Sequence, residues 1–80
     1  MHSFTIPLTS DAYTRLHSDL IALNYLDPKT NHISILGVIL HISHNQVMQK
    51  LTLTVVSKPM LASSEMVERG VREWLKGQGV

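Results

Sequence analysis

The sequence contains no cysteine, which excludes a disulfide framework, thiol chemistry and any zinc site built on cysteine. It is also poor in charge, because charged residues make up 16% of the chain against about 25% in typical globular domains. The formal net charge is only +1. So small a net charge provides no broad basic surface for nucleic acid or anionic lipid, and it argues against both as the main partner.

Long apolar runs are missing as well. The longest apolar-rich stretch, residues 33–40, is too short to span a bilayer. The first seven residues lack the basic and apolar regions of a signal peptide. We therefore expect a soluble, cytoplasmic protein with no membrane contact. A hydrophobic fraction of 44% is too high for a disordered chain, and 80 residues fit one small domain, 1–80, with residues 77–80 as a loose tail.

No catalytic or phosphate-binding motif occurs. Neither Gly-x-Ser-x-Gly nor Ser-x-x-Lys is present, and no glycine-rich loop lies between a strand and a helix. His41 and His44 stand three positions apart with no acidic neighbour, so they lack the converging ligands of a metal site. We predict no catalytic residue, no metal and no cofactor. An enzyme stays open, but so short a chain leaves little room for a deep pocket, which favours a non-enzymatic protein.

The first third of the chain predicts a strand followed by a helix. Residues 3–8 alternate between apolar and polar side chains, which is typical of a short strand, and Pro7 places that strand at a sheet edge or ends it there. Thr9 or Ser10 then caps a helix that should run to about Leu26. Its apolar arc is wider than one sheet face requires.

The stretch from His32 to Val56 predicts a hairpin with a tight turn at His44-Asn45. This register places Ile42 opposite Val47, and it directs one almost wholly apolar face of the hairpin to the core. The opposite face would carry a second group of apolar residues, namely Ile33, Ile35, Ile39, Met48 and Val56.

The last segment has the clearest helical pattern. Ser63 or Ser64 caps it, its apolar half includes Val67 and Val71, and Gly77 ends it. Gly70 lies on the apolar half and allows a neighbouring element to approach closely. The opposite half interleaves glutamates with a basic stripe formed by Arg69, Arg72 and Lys76.

These elements predict an α+β fold in the order β-α-β-β-α. It is a two-layer sandwich in which both helices cover one face of a three-stranded, mainly antiparallel sheet. The other face is then uncovered and apolar, and such a patch usually marks an interface. Our leading hypothesis is a small interaction or regulatory protein that binds another protein or, as a homodimer, a second copy of itself. The hypothetical interface residues are those five apolar side chains: Ile33, Ile35, Ile39, Met48 and Val56.

Two alternatives stay open. The chain could bind a small ligand, or act as a small enzyme, at a cavity between the first helix and the sheet with polar groups from Tyr13, His17 and Tyr25. It could also be a nucleic-acid-binding regulator that uses Arg69, Arg72 and Lys76. The interleaved glutamates argue against that second alternative.

Overall fold

The computed structural model describes residues 2–79 and contains two α-helices and a five-stranded antiparallel sheet. The order of strands across the sheet is β1-β5-β4-β3-β2. The predicted α+β class is confirmed, but the sheet has five strands where three were expected. The elements in chain order are β1 (Ser3–Pro7), α1 (Ser10–Ala22), β2 (Leu26–Asp27), β3 (His32–Ile35), β4 (Val38–Asn45), β5 (Lys50–Ser57) and α2 (Ser64–Gly77).

A tight turn at Leu36-Gly37 separates β3 from β4. Both turn residues have left-handed backbones, with φ of 49° and 79°, and Ile35 pairs with Val38 across the turn. Two consecutive left-handed residues match the right-handed twist of the flanking strands, and glycine adopts this conformation without steric penalty. The prediction of one continuous strand from His32 to the second turn is therefore wrong.

The second turn also differs from the prediction. β4 continues through His44 and Asn45, and the loop consists of residues 46–49. The Asn45 side-chain oxygen accepts a hydrogen bond from the Met48 N–H at 3.0 Å, so the asparagine holds the turn from its first position and is not one of its central residues. The register changes with the turn, and Ile42 lies opposite Leu53.

Helix α1 begins as predicted and ends earlier. The Thr9 hydroxyl caps it, but the helix stops at Ala22 and does not reach Leu26. Asn24 has a left-handed φ of 63°, and the next N–H donates to the Leu20 carbonyl at 2.9 Å. This pattern is a Schellman ending, which satisfies the last helical carbonyls and turns the chain. Leu26 is thereby free to enter β2.

Strand β1 lies at one edge of the sheet, as Pro7 predicted, and within residues 2–79 it pairs only with β5. At the other end of the chain, α2 is capped by the Ser63 hydroxyl and includes Gly77, one residue beyond the predicted stop. Gln78 caps the C-terminus of α2 and Gly79 follows with a positive φ. Of the predicted loose tail, Val80 lies outside the described residues.

Both helices pack on the same face of the sheet. Their buried side chains join the inward residues of the strands in one hydrophobic core, and the other sheet face has no cover within residues 2–79. Neither helix of this part of the chain is long and apolar enough to cross a membrane. The core consists of Phe4, Ile6, Leu8, Leu16, Leu20, Leu26, Ile33, Ile35, Leu40, Ile42, Leu51, Leu53, Val55, Val67, Val71 and Leu75.

Candidate interaction surfaces

The five residues of the hypothetical interface do not form one surface. Ile33 and Ile35 are only 1% and 8% exposed, because the turn between β3 and β4 directs both side chains toward the helices. Their predicted placement on the exposed face is wrong. Ile39 and Val56 do lie on the uncovered face, half-buried and exposed respectively, while Met48 lies in the loop between β4 and β5.

The uncovered face is mostly polar, where it was expected to be apolar. One row of directly opposed residues crosses all five strands in the order Ser3, Thr54, His41, His32 and Asp27. The Ser3 and Thr54 hydroxyl oxygens are 2.9 Å apart, and the His32 and His41 ring centroids are 5.7 Å apart. Within residues 2–79, no three histidine or acidic side chains converge as a metal site would require. This face therefore has the composition of a solvated sheet surface.

One group of exposed apolar residues instead surrounds a groove of about 210 Å³ beside α2. Leu36 is 93% exposed, and Met60 and Leu61 in the neighbouring loop are 97% and 99% exposed. The β3–β4 turn approaches this loop closely, since a Cβ built on Gly37 would lie 3.7 Å from Pro59 Cγ. We call this surface the apolar groove. Its lining residues are Ile35, Leu36, Val38, Pro59, Ala62, Met66, Val67, Gly70 and Val71.

Local hydrogen bonds hold the loop that borders the apolar groove. The Ala62 N–H donates to the Pro59 carbonyl at 3.1 Å, and the Lys58 ammonium donates to the Ala62 carbonyl at 2.6 Å. These bonds close a turn whose tip is Met60 and Leu61. Both apolar side chains at the tip therefore project into solvent.

Sequence reasoning missed the apolar groove, although two signals for it were present. Met60 and Leu61 stand between a strand and a helix cap, where polar turn residues are common. Gly37 follows Leu36 at a position flanked by alternating apolar residues, which is typical of a two-residue hairpin loop. Neither signal reveals that the two segments meet.

A second groove, of about 340 Å³, lies between β1 and α2. It brings together the three predicted nucleic-acid residues, Arg69, Arg72 and Lys76, above an apolar floor. We call it the cationic groove. Its lining residues are Ile6, Pro7, Arg69, Arg72, Glu73, Leu75 and Lys76.

Glu68 bonds Arg72, one of the residues that line the cationic groove. Its carboxylate is 2.8 Å from His2 Nε2 and accepts a hydrogen bond of 2.9 Å from Arg72 Nε. These bonds from His2 and Arg72 lower the pKa of Glu68 below its ordinary value. Arg72 also lies with its guanidinium 5.1 Å from the centre of the Phe4 ring, and it reaches the Thr5 carbonyl at 3.4 Å. The guanidinium is thereby held at the edge of β1.

The three residues of the ligand alternative are not all together. Tyr13 lies beside His17, with ring centroids 5.6 Å apart, but Tyr25 packs against Trp74. Burial raises the pKa of Tyr13. His44 instead stacks on Tyr13, with ring centroids 4.5 Å apart. The sequence did not predict this contact, because His44 was expected in the tight turn of the hairpin. Tyr13 and His17 line neither the apolar nor the cationic groove.

No protein-family model, curated protein or solved structure matches this chain. The two grooves and the residues that line them are therefore the features that bear on its function.

Proposed function

We propose that this chain is a small, non-enzymatic interaction protein that self-associates through the apolar groove rather than through the sheet face. The observation that carries the proposal is Gly70. This glycine lies in the middle of α2 and lines the apolar groove.

Neither helix formation nor packing within the described residues favours a glycine at this position. Glycine in a helix interior is about 1 kcal/mol less favourable than alanine. Beyond its own helix turn, a Cβ at Gly70 would meet no atom of residues 2–79 within 4 Å, so no neighbouring element in this part of the chain requires a glycine there. The missing side chain instead keeps the groove open beside the helix backbone. This arrangement suits the close approach of a second molecule.

The rim of the groove offers apolar surface to such a molecule. Leu36, Met60 and Leu61 are almost fully exposed, and Met66 is exposed beside them. Complete burial of a leucine or methionine side chain stabilises by about 1.5–3 kcal/mol. Contiguous apolar patches of this kind are uncommon on monomeric surfaces unless they bind something, and methionine adapts well to a partner surface.

A second copy of the chain is the partner that fits this surface. The projecting tip at Met60-Leu61 and the groove at Gly70 lie side by side on one molecule. A two-fold axis between two copies would let each tip cover the groove of the other, so that both contacts form at once. The chain has 80 residues and so buries a small core, which makes dimerisation a common source of added stability.

Size-exclusion chromatography with light scattering, over micromolar to millimolar concentrations, tests this proposal. The wild type should elute as a dimer at high concentration. Gly70→Gln fills the groove with an uncharged, helix-compatible side chain and should shift the mass to that of a monomer. Gly77→Gln is the matched control, because a Cβ at Gly77 also meets open space but that residue lies outside the groove.

Two results would contradict the proposal. One is a wild type that stays monomeric over the whole concentration range. The other is a dimer whose dissociation constant is unchanged by both Gly70→Gln and Leu61→Ser. Circular dichroism of each variant checks that the helices are retained, so a loss of dimer can be assigned to the groove.

A further inference from the structure

We infer that the open edge of β1 and the cationic groove together bind an extended acidic peptide segment, which adds to the sheet as a sixth strand. This site lies on a different part of the surface from the apolar groove and does not depend on self-association.

The register of β1 identifies the backbone groups that face outward. The Leu8 N–H donates to the Gln49 carbonyl at 2.8 Å, and the His2 carbonyl accepts from the Val55 N–H at 2.9 Å. Backbone groups alternate in direction along a strand, so the even-numbered residues of β1 point toward β5. The N–H and C=O groups of Ser3 and Thr5 therefore point away from the sheet.

An unpaired sheet edge can form hydrogen bonds with another strand, and native sheets usually carry features that prevent this pairing. Here Pro7 has no N–H and the strand is short, so only Ser3 and Thr5 can form complete pairs with an added segment. So few backbone bonds give weak binding by themselves. Side-chain contacts must supply the rest of the affinity and the choice of partner.

The cationic groove supplies those contacts. Side chains of an added strand alternate between the two faces of the sheet, and residues opposite Phe4 and Ile6 would point to the helix side. On that side the groove presents Arg69, Arg72 and Lys76 against one lining carboxylate, Glu73. A segment with acidic side chains at alternate positions complements this arrangement, whereas a basic segment would be repelled.

Arg69 and the terminal nitrogens of Arg72 can bind such carboxylates, although Arg72 Nε already bonds Glu68 at 2.9 Å. Arg69 forms no ion pair with any described acidic residue. Arg72 contacts the Thr5 carbonyl only at 3.4 Å, so a peptide N–H could replace that long bond and leave the guanidinium beside the edge. Arginine binds carboxylates through paired, charge-assisted hydrogen bonds, which also fix the position of the bound segment.

These features favour a peptide over a nucleic acid. Outward N–H and C=O groups complement another backbone, and the groove lining contains no aromatic ring on which a base could stack. Glu68 and Glu73 lie among the cations and would repel a continuous row of phosphates. A peptide can place its acids at alternate positions and avoid both glutamates.

Two fluorescently labelled hexapeptides of equal composition provide the first test by anisotropy. One alternates threonine and glutamate, and the other has its three glutamates contiguous. The alternating peptide should bind about tenfold more tightly, because only it can place every acid on the helix side while paired to the edge. Its affinity should fall as salt is raised, since the contacts are ionic.

Three variants separate backbone from side-chain contributions. Thr5→Pro removes an outward N–H without touching the ladder to β5, and Thr5→Ala is its matched control. Arg69→Gln removes one cation. Thr5→Pro and Arg69→Gln should each weaken the alternating peptide by roughly tenfold, whereas Thr5→Ala should bind like the wild type.

Amide hydrogen exchange on the wild type keeps the test independent of how the variants fold. Bound peptide should slow exchange at the Ser3 and Thr5 amides, while the Phe4 and Ile6 amides, which already pair with β5, should change little. No binding of the alternating peptide would overturn the inference. Equal affinity for both peptides, or binding of a single-stranded oligonucleotide that Thr5→Pro leaves unchanged, would show a general polyanion site and would overturn it too.

Discussion

Tyr13 of α1 stacks on His44 of β4, with ring centroids 4.5 Å apart and ring planes 5° from parallel. His44 Nε2 lies 2.7 Å from the carbonyl oxygen of Leu8 and donates to it, because a carbonyl oxygen can only accept. One imidazole thus connects the first helix, the end of a central strand and the segment that follows β1. Of these three, only α1 and the segment that follows β1 are close in sequence.

Replacing His44 with alanine should lower the free energy of unfolding by about 1–3 kcal/mol, since the change removes both the stacked pair and the hydrogen bond to Leu8. His41→Ala is the control, because His41 is exposed on the uncovered sheet face, and its effect should stay within about 0.5 kcal/mol. Urea denaturation at one fixed protein concentration measures both. Equal losses in the two variants would contradict a structural role for the stack.

The lowered pKa of Glu68 predicts a stability difference that depends on pH. A carboxyl whose folded-state pKa is below its unfolded value stabilises the fold above that unfolded value, which is about 4.3 for glutamate. The contribution is lost as pH falls through the folded-state pKa. Glu68→Gln should therefore be less stable than the wild type near neutral pH. This difference in the free energy of unfolding should disappear in acid.

Denaturation curves of both proteins over a series of pH values would measure this difference. Glu65→Gln is a suitable control, since Glu65 lies on the same helix and makes no ion pair among the described residues. The difference in the free energy of unfolding between the wild type and Glu68→Gln could instead stay constant down to low pH. That result would mean that the stabilisation from His2 and Arg72 does not depend on the carboxylate charge.

The elements that the sequence predicted best are those with both a periodic pattern and an explicit end. Helix α2 has a serine cap before it and a clear apolar half, and its observed bounds differ from the prediction by about one residue. The Thr9 cap of α1 was also visible, and it bonds to the Ala12 N–H at 3.2 Å. Caps and periodicity are local signals, so they do not depend on the rest of the fold.

The hairpin prediction failed because the apolar residues change parity along the stretch. Ile33 and Ile35 occupy odd positions, whereas Leu40 and Ile42 occupy even ones. Side chains alternate strictly along a strand, so one continuous strand would place these two pairs on opposite faces. The Leu36-Gly37 turn lets all four face the core. An apolar outer face follows only from one continuous strand, which the turn between β3 and β4 excludes.

The apolar groove was beyond prediction for a different reason. The helical pattern showed that Gly70 lies on the apolar side of α2, but the open space beside it depends on where other elements pack. The groove forms only where the β3–β4 turn meets the loop before α2. Contacts between segments distant in sequence are set by the tertiary fold and leave no local periodic signal.

Two isoleucines test the revised register directly. Ile33→Ala should lower the free energy of unfolding by about 2–5 kcal/mol, because Ile33 is almost fully buried. Ile39→Ala should lower it by about 1 kcal/mol or less, since this side chain is half-buried on the uncovered face. Chemical denaturation of both variants under the same conditions gives the comparison. A larger loss for Ile39→Ala would favour the register that the sequence alone predicted.

Two glycines should respond to alanine in opposite directions. Gly70→Ala should raise the free energy of unfolding by about 1 kcal/mol, because alanine favours helix and its Cβ meets open space. Gly37→Ala should lower it by about 1–2 kcal/mol, since φ at Gly37 is 79° and a side chain there is strained. Denaturation at a concentration below that of self-association measures folding alone. A destabilising Gly70→Ala would mean that the folded monomer needs this glycine, and the case for an external partner at the groove would lose its basis.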